Sequence, residues 1–309
     1  MATLNYSLVD VFTSTAFGGN QLAVFHDESP LPSATMQKIA RELNLSETVF
    51  IQPPADSNNQ KSLRIFTPKV ELPMAGHPTI GAAYVLAAAN KIPLAAGKND
   101  WMFEEPVGEI PVSVYEKNGQ IEKVEMTQPL PAFGSIYEKP GLVADLLSLS
   151  VRDFDKNLPL QSVSSGVPFL YVPVRSLSAM KQIKFRIDIW EKHFSNNSST
   201  QNIFVFTTET VQKSSTVHSR MFAPAMGIPE DPATGAASGP LGAYLVENGV
   251  VAPSKNQFYH IRSEQGFEMD RPSFIEITVG KTKGAISSIK IGGNAVNIGT
   301  GQLQLPDAF

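Results

Sequence analysis

Residues 64–86 read RIFTPKVELPMAGHPTIGAAYVL, and residues 220–245 read RMFAPAMGIPEDPATGAASGPLGAYL. Each stretch opens with Arg-x-Phe-x-Pro, continues to a polar residue before proline, and ends in a glycine- and alanine-rich run that contains tyrosine. Self-similarity at a long, fixed offset is the sequence signature of a repeated architecture. The two stretches therefore predict that the chain consists of two related halves.

Other similar segments follow in the same order along the two halves. LAVF at 22–25 resembles LYVP at 170–173, and the hairpin-like segment at 109–126 resembles the one at 273–291. The offset between matching segments drifts, as loop insertions would make it do. Several matches in one order favour a duplication over chance similarity of strands.

The division between the halves is expected where prolines punctuate the chain, within 130–160. A length of 309 residues also fits two domains of about 150 residues each. We place the N-terminal half at 1–135 and the C-terminal half at 136–294. The C-terminal strand and tail, 295–309, are a candidate to complete the first half.

Local patterns predict similar elements in both halves. Residues 33–44 have apolar side chains at helical spacing with Ser33 as the expected N-cap, and 186–195 form a weaker helix. Short β-branched or aromatic runs between turn residues are strands. These are expected at 6–12, 21–26, 48–52, 62–66, 109–116, 121–127, 168–174, 202–207, 216–223, 258–263, 273–279, 285–292 and 295–304.

Two further helices, 78–90 and 232–248, are apolar or small on nearly every side. A helix that is hydrophobic all round must be enclosed. We therefore expect an α+β fold in which a curved, mostly antiparallel sheet wraps one central helix, built twice. Pro240 removes a backbone donor in mid-helix, so a kink is expected near Ser238–Pro240.

Composition excludes several classes of protein. The 25 Lys and Arg against 29 Asp and Glu leave a net charge of -4 without a basic run, which argues against nucleic-acid or membrane partners. There is no cysteine, so disulfides, thiolate metal sites and cysteine catalysis are excluded. No 18-residue apolar stretch or basic N-terminal leader occurs. We expect a cytoplasmic protein, with a homodimer as the candidate assembly.

Both enclosed helices begin with a polar residue before proline, His77-Pro78 and Asp231-Pro232. Proline is favoured at the first helical position, which would make His77 and Asp231 the N-caps beside free backbone N–H groups. Two such helix starts facing each other would form a small anion site suited to a carboxylate. The alternatives are a structural histidine and an ordinary aspartate cap.

Glu47 lies in ELNLSETVFI, where a helix gives way to an apolar strand. A carboxylate at the mouth of an apolar run can have its pKa raised by desolvation toward the range of a general base near neutral pH. The alternative is that residues 46–48 are a solvated connection.

Metal and cofactor sites are not indicated. The five histidines include no His-x-x-x-His pair, so we expect no metal. GTG at 299–301 is too short for a dinucleotide-binding fingerprint, and we expect no cofactor.

These segments together resemble one known family. DVFTSTAFGGNQLAVF (10–25), ARELNLSETVFI (40–51), the stretch at 64–86 and DPATGAASG (231–239) are similar, in order, to the phenazine-biosynthesis PhzF-like family. The resemblance covers essentially the whole chain. It implies the diaminopimelate-epimerase-like fold, with two barrel-like halves, each a sheet around a central helix, and an active site in the cleft between them.

The resemblance also implies roles for particular residues. Related amino-acid epimerases exchange a proton between two cysteines, whereas the PhzF-like branch uses a glutamate, matched here by Glu47, beside a histidine and an aspartate matched by His77 and Asp231. One position departs from the family: the residue after the glycine of DPxTG is commonly serine and here is alanine. Substrate-binding residues are expected at Gly76, Pro78, Thr79, Gly235, Ala236 and Asn20.

The function expected from these residues is a cofactor-independent isomerase that moves a proton at carbon in a small carboxylate-bearing metabolite. Two alternatives stay open. One is a non-catalytic binding or interaction protein on the same fold, for which Ala236 is the best argument, since fold alone does not imply function. The other is an enzyme that uses nicotinamide or pyridoxal phosphate.

Overall fold

The chain folds into two compact units. The computed structural model describes residues 2–27, 30–254 and 256–305. The first unit runs up to Thr127 and resumes at Gly292, and the second covers Gln128–Ile291. Each unit has its own set of strands and its own enclosed helix.

The first unit contains two helices among its described residues, α1 (Ser33–Leu43) and α2 (Gly76–Ala88). Its strands are β1 (Ala2–Val11), β2 (Asn20–Phe25), β3 (Glu47–Gln52), β4 (Lys61–Phe66), β5 (Glu71–Leu72), β6 (Gly97–Glu105), β7 (Gly108–Lys117), β8 (Gln120–Gln128, whose last residue belongs to the second unit) and the C-terminal β18 (Ala295–Leu305).

The second unit has helices α3 (Pro140–Leu147), α4 (Leu177–Gln182), α5 (Ile187–His193) and α6 (Gly235–Glu247). Its strands are β9 (Ala132–Ile136), β10 (Gln161–Ser164), β11 (Pro168–Pro173), β12 (Ile203–Thr207), β13 (Val217–Ala223), β14 (Ile228–Asp231), β15 (Phe258–Gln265), β16 (Ser273–Thr282) and β17 (Ala285–Gly293, whose last two residues belong to the first unit).

The two units repeat one strand topology. In the first, β2 pairs with β3 in parallel, β3 with β4 antiparallel, and β4 with β5 antiparallel and with β6 in parallel. In the second, β11, β12, β13, β14 and β15 pair in the same senses and the same order. The predicted duplication is therefore confirmed, and the remaining pairings are mostly antiparallel.

Enclosed helices form the centre of each unit. Both α2 and α6 bury eleven of their thirteen residues, because small and apolar side chains cover their whole circumference. Strands β1, β2, β3, β7 and β18 contact α2, and β10, β11, β15 and β16 contact α6. The predicted α+β fold, with a sheet around a central helix built twice, is confirmed.

The repeated Arg-x-Phe motif makes the same contacts in both units. Arg64 forms a bidentate ion pair with Glu71, with nitrogen–oxygen distances of 2.5 and 2.8 Å, and its guanidinium lies over Phe66. Arg220 pairs with Glu230 at 2.7 and 2.8 Å and lies over Phe222 in the same way. The planar guanidinium suits this double contact. Each arginine therefore fastens a long strand to the short strand that precedes its enclosed helix.

Several elements were not predicted. Strands β5, β6, β9, β10 and β14 and helices α3 and α4 carry weak local patterns. In β6, GKNDWMFEE, polar residues fill the exposed first half, and alternation of buried side chains begins only at Trp101. Pairing with β7 along its whole length holds β6 in the sheet despite its composition.

Helix details also differ from the expectations. Ser33 is not the N-cap of α1 but its first residue; Pro32 takes the cap position, and the Ser33 hydroxyl accepts a hydrogen bond from Arg64 at 2.9 Å. The Ser33 hydroxyl is therefore bonded to Arg64 of β4 and does not cap the helix. Helix α6 includes Pro240 within its span, and the kink expected there stays a prediction; the Ala237 carbonyl, three residues before Pro240, accepts a hydrogen bond from the Tyr171 hydroxyl at 2.6 Å.

Gly81 allows α2 to approach the sheet. A β-carbon at this position would lie 2.5 Å from Leu22 Cδ2 and 2.8 Å from Val11 Cγ2. We expect Gly81→Ala to lower the free energy of unfolding by about 1–3 kcal/mol through overpacking, measured by urea denaturation.

Gly141 in α3 is the matched control, because a β-carbon there meets nothing within 4 Å. Gly141→Ala should raise the free energy of unfolding by about 0.4–1 kcal/mol. Equal stabilities of Gly81→Ala and the wild type would contradict the close approach.

Candidate active site

The first turn of α2 carries the histidine predicted to be functional. His77 is the second residue of the helix, and its side chain is buried. Burial lowers the pKa of His77 to about 3, because the imidazolium would lose its hydration. The ring is therefore neutral at physiological pH.

Glu47 lies against this histidine. It is the first residue of β3 and is only 7% exposed, and its Oε2 is 3.1 Å from His77 Nε2. The alternative of a solvated connection at 46–48 is wrong for Glu47 and Thr48, since both are buried. Because His77 is neutral, the short contact joins a carboxylate to a neutral imidazole and is not an ion pair.

Asn20 determines which imidazole nitrogen of His77 carries the proton. Its side-chain nitrogen lies 3.3 Å from His77 Nδ1. An amide N–H donates, so Nδ1 accepts, and the single proton of the neutral ring is on Nε2. The protonated Nε2 is consequently the ring atom nearest the Glu47 carboxylate, although Nε2 and Glu47 Oε2 are not oriented as a hydrogen bond in this structure.

Strand order explains why these side chains meet. Asn20 begins β2 and Glu47 begins β3, and the two strands are parallel with Leu22 opposite Glu47. The starts of parallel strands lie at one edge of the sheet, so both residues reach the edge where α2 begins. Sequence reasoning identified the residues, but only this pairing brings them together.

Backbone donors complete the start of α2. The first N–H groups of a helix have no partner within the helix. Among the described residues, none accepts a hydrogen bond from the N–H of Gly76 or His77. Pro78 has no N–H, so its place in this turn costs no hydrogen bond. The turn therefore presents two donors beside Glu47.

The predicted N-cap positions need correction. Helix α2 begins at Gly76 after Ala75, so His77 is not the cap, and α6 begins at Gly235 after Thr234, so Asp231 is not the cap either. Asp231 ends β14, where its pairing with Met221 keeps the backbone extended. Three residues are then needed before the chain can turn into the helix.

Asp231 is nevertheless buried beside the start of α6. Its Oδ2 accepts a hydrogen bond from the Thr234 hydroxyl at 2.6 Å, and its backbone oxygen accepts one from Gln265 at 2.7 Å. Gln265 Oε1 also accepts the N–H of Thr234 at 3.2 Å. The Asp231 carboxylate is thus fixed relative to the helix start within its own unit.

Gly235 and Ala236 occupy the same helical positions as Gly76 and His77. Their N–H groups likewise have no acceptor among the described residues. Ala236 contributes no polar side chain, so only its backbone can contact a ligand. The expected meeting of the two helix starts in one cleft stays a prediction.

Sequence analysis did not identify two residues that contact the helix starts, Glu105 at α2 and Gln265 at α6. The Thr79 hydroxyl lies 2.7 Å from the Ala75 oxygen and 2.5 Å from Glu105 Oε1, so Glu105 supports the first turn of α2 as Gln265 supports that of α6. Extending the internal repeat to the ends of β6 and β15 would have revealed both Glu105 and Gln265.

Residues 2–27, 30–254 and 256–305 contain no group of three or more His, Asp or Glu side chains suited to a metal ion. Within the same residues, no helix has the length and apolar character required to cross a membrane.

Comparison with known proteins places the chain in a family. The sequence profile described as "Phenazine biosynthesis-like protein" matches residues 9–301. An "Uncharacterized isomerase" of Mesorhizobium japonicum is 34% identical over 98% of this chain and 99% of its own. The trans-2,3-dihydro-3-hydroxyanthranilate isomerase of Pseudomonas fluorescens is 32% identical over 97% of this chain and 99% of its own.

A solved structure of the same family has a similar fold. The Bacillus anthracis phenazine biosynthesis protein of the PhzF family superposes with a TM-score of 0.87 at 27% identity, covering 99% of this chain and 100% of that one. The resemblance stated from the sequence is confirmed along the chain. This protein is an isomerase and belongs to the phenazine biosynthesis-like (PhzF) family.

Proposed function

We propose that this isomerase moves a proton between carbon atoms of a small carboxylate-bearing metabolite, with Glu47 as the acid and base. The observation that supports this most is the buried Glu47 carboxylate 3.1 Å from the neutral His77 ring. A positioned carboxylate with restricted access to water is suited to take a proton from carbon.

The proposed reaction needs no electron donor or acceptor. Glu47 removes a proton from one carbon, the electron pair of that C–H bond moves into a conjugated double bond, and Glu47 returns the proton to another carbon. The substrate and the product then have the same composition and oxidation state. Independence from a cofactor is therefore part of the proposal.

His77 would act as a neutral hydrogen-bond donor. A pKa of about 3 makes the imidazolium too unstable to store the proton during turnover. Its Nε2–H can instead stabilise the ionised form of Glu47 or an oxygen of the substrate that gains charge. Asn20 would maintain this tautomer through Nδ1.

The substrate carboxylate would bind to the backbone donors of α2. The N–H groups of Gly76 and His77 lie at a helix N-terminus, whose partial positive charge favours an anion. Gly235 and Ala236 offer the same donors at the start of α6. On the family resemblance, Asp231 remains a proposed catalytic residue, and Pro78 and Thr79 remain proposed substrate contacts.

The first substrate to test is trans-2,3-dihydro-3-hydroxyanthranilate, because relatives about 30% identical are named for its isomerisation. The purified protein would be incubated with this compound in D2O and the products followed by NMR. We expect isomerisation, with solvent deuterium entering at the carbon that gains a proton. A panel of other small unsaturated carboxylates would follow; neither isomerisation nor exchange across it would contradict the proposal.

Chelation provides a separate prediction. Because Glu47 and the helix start perform the chemistry in this proposal, turnover should be unchanged after incubation with EDTA and removal of the chelator. The assay would be repeated with added Zn²⁺ or Mg²⁺. Activity that is lost on chelation and returns with either metal would show that metal-assisted chemistry operates instead.

A further inference from the structure

Glu105 is a buried acidic residue that the proposed reaction does not use. It is the last residue of β6, where the β6–β7 hairpin turns and Glu105 pairs with Gly108. Its side chain is 6% exposed, and its Oε2 has no hydrogen-bond partner among the described residues. An isolated carboxylate in such a place is costly, which calls for an account of its charge.

Hydrogen-bond accounting favours an uncharged Glu105. The Thr79 hydroxyl has one proton but lies within reach of two acceptors, the Ala75 oxygen at 2.7 Å and Glu105 Oε1 at 2.5 Å. If Thr79 donates to Ala75, a second proton is needed between Thr79 and Glu105. A protonated carboxyl supplies it, since the acid can donate to the hydroxyl oxygen. The backbone of Ala75 also acts on this carboxyl, since it lowers the pKa of Glu105 in part.

The second unit has a neutral side chain in the same place. Ser62 in β4 lies opposite Glu104 in β6, and His218 in β13 lies opposite Glu264 in β15. The next residue of each strand is Glu105 in the first unit and Gln265 in the second. These two residues are therefore equivalent in the repeat.

The contacts of the two residues match as well. Gln265 accepts the N–H of the cap residue Thr234, and the backbone of the equivalent cap residue, Ala75, lowers the pKa of Glu105. Gln265 also donates to a hydroxyl, that of Thr234, at 3.0 Å. A glutamine can only be neutral and has one acceptor oxygen and two N–H donors. A protonated glutamic acid likewise has an acceptor oxygen and a donor, although it has one O–H in place of the two N–H groups.

We propose that Glu105 is a positioning residue that holds the first turn of α2 as an uncharged carboxylic acid and thereby fixes His77. Residues two apart on a helix point in roughly opposite directions, so Glu105 supports the turn through Thr79 while His77 faces Glu47. The importance of this for catalysis rests on the proposed function, but the charge state of Glu105 and its effect on His77 do not.

The electrostatic surroundings agree with this assignment. Burial raises the pKa of Glu105 to about 8, although the hydrogen bonds from Thr79 and Ala75 lower it in part. No neighbouring charge contributes to the shift. The charged or titratable side chains on the elements around Glu105 include Glu104 on β6, Glu109 on β7, Lys61 and Arg64 on β4, and His77 on α2.

The charge state can be tested without a substrate. A carboxyl whose pKa is raised in the folded protein makes folding less favourable as the pH rises from its ordinary value of 4.5 toward 8. Glu105→Gln removes this loss. We expect the melting temperature of Glu105→Gln to exceed that of the wild type by a margin that widens by on the order of 5 °C between pH 5 and pH 8.

Glu104 is the matched control on the same strand. Hydrogen bonds from the N–H groups of Ala55 and Asp56 lower the pKa of Glu104, so it is ionised throughout this range. Glu104→Gln should therefore melt below the wild type by a margin that stays constant from pH 5 to pH 8. A constant margin for Glu105→Gln as well would overturn the assignment of an uncharged acid.

The positioning role is tested on the His77 ring itself. The chain has five histidines, so ring signals can be resolved by NMR in protein labelled at histidine and assigned with His77→Asn. Glu105→Ala should shift or broaden the His77 signal at pH 7, and Glu105→Gln should leave it in place. An unchanged His77 signal in Glu105→Ala would overturn the positioning role whatever the substrate proves to be.

Turnover gives the last comparison once a substrate is available. Glu105→Ala should lower turnover on the order of 10²-fold through misplacement of the helix start, and Glu105→Gln should restore it at pH 7. Equal turnover of the two variants would contradict the positioning role. Failure of the wild type to turn over any candidate would count against the proposed function alone, because the melting and NMR results do not depend on it.

Discussion

Glu47→Gln is expected to lower turnover by roughly 10²–10⁴-fold or more, because an amide of the same shape cannot accept a proton from carbon. Glu47 is buried, and its Oε2 lies 3.1 Å from Nε2 of the neutral His77. Among the described residues of the first unit, no other carboxylate is given a contact with the His77 ring. The measurement is the rate of isomerisation, or of deuterium incorporation, with a substrate that the wild type turns over.

The variant should still fold and still bind. Glutamine relieves the desolvation of a buried carboxylate, so its melting temperature should equal or slightly exceed that of the wild type. Substrate affinity should persist, because the N–H groups of Gly76 and His77 hold the carboxylate in this proposal. Glu42→Gln, at an exposed position in α1, is the control and should keep wild-type turnover. Near-wild-type turnover by Glu47→Gln would remove Glu47 from the mechanism.

His218→Ala is expected to lower the free energy of unfolding by about 3–5 kcal/mol. His218 is fully enclosed between two carboxylates, with Nδ1 2.9 Å from Glu264 and Nε2 3.0 Å from Glu268. Removing the histidine leaves Glu264, which is wholly buried, without its cationic partner. Urea denaturation would measure the loss, and His193→Ala, on the exposed end of α5, should change stability by less than about 0.5 kcal/mol.

The stabilisation by His218 should depend on pH in a defined direction. Burial opposes its charge, but the hydrogen bonds and charges of Glu264 and Glu268 outweigh burial and raise the pKa of His218 above 6.5. Its contribution is therefore complete below pH 6.5 and is lost as the pH rises through the folded-state value. The difference between the wild type and His218→Ala should narrow at alkaline pH. A difference that does not change from pH 6 to pH 10 would show that folding does not raise the pKa of His218.

Sequence patterns were sufficient for the architecture because the deciding signals are local. The apolar circumference of 78–90 and 232–248 can be satisfied only by enclosure, and α2 and α6 are enclosed. The repeated Arg-x-Phe motif marks equivalent strands, β4 and β13. Where the local pattern is weak, as in the polar first half of β6, the strand exists because β7 pairs with it, and sequence reasoning missed it.

The site was predicted residue by residue but not as an arrangement. Glu47 and His77 were selected from their motifs, and their contact is visible only in the structure, since it depends on where β3 and α2 begin. The cap positions were wrong because proline alone does not determine a helix start. Pairing of Asp231 with Met221 delays the second helix to Gly235.

By itself, then, the sequence determined the duplication, the enclosed helices and the residue types available for proton transfer, because hydrophobic periodicity and residue chemistry are properties of short segments. Only the tertiary structure decided the tautomer of His77, the burial of Glu47 and the pairing of Glu105 with Thr79. Those features arise between residues 20 to 60 positions apart, here joined by the register of parallel strands. Burial and hydrogen-bond partners, which set charge and proton position, follow from that register and cannot be read from either segment alone.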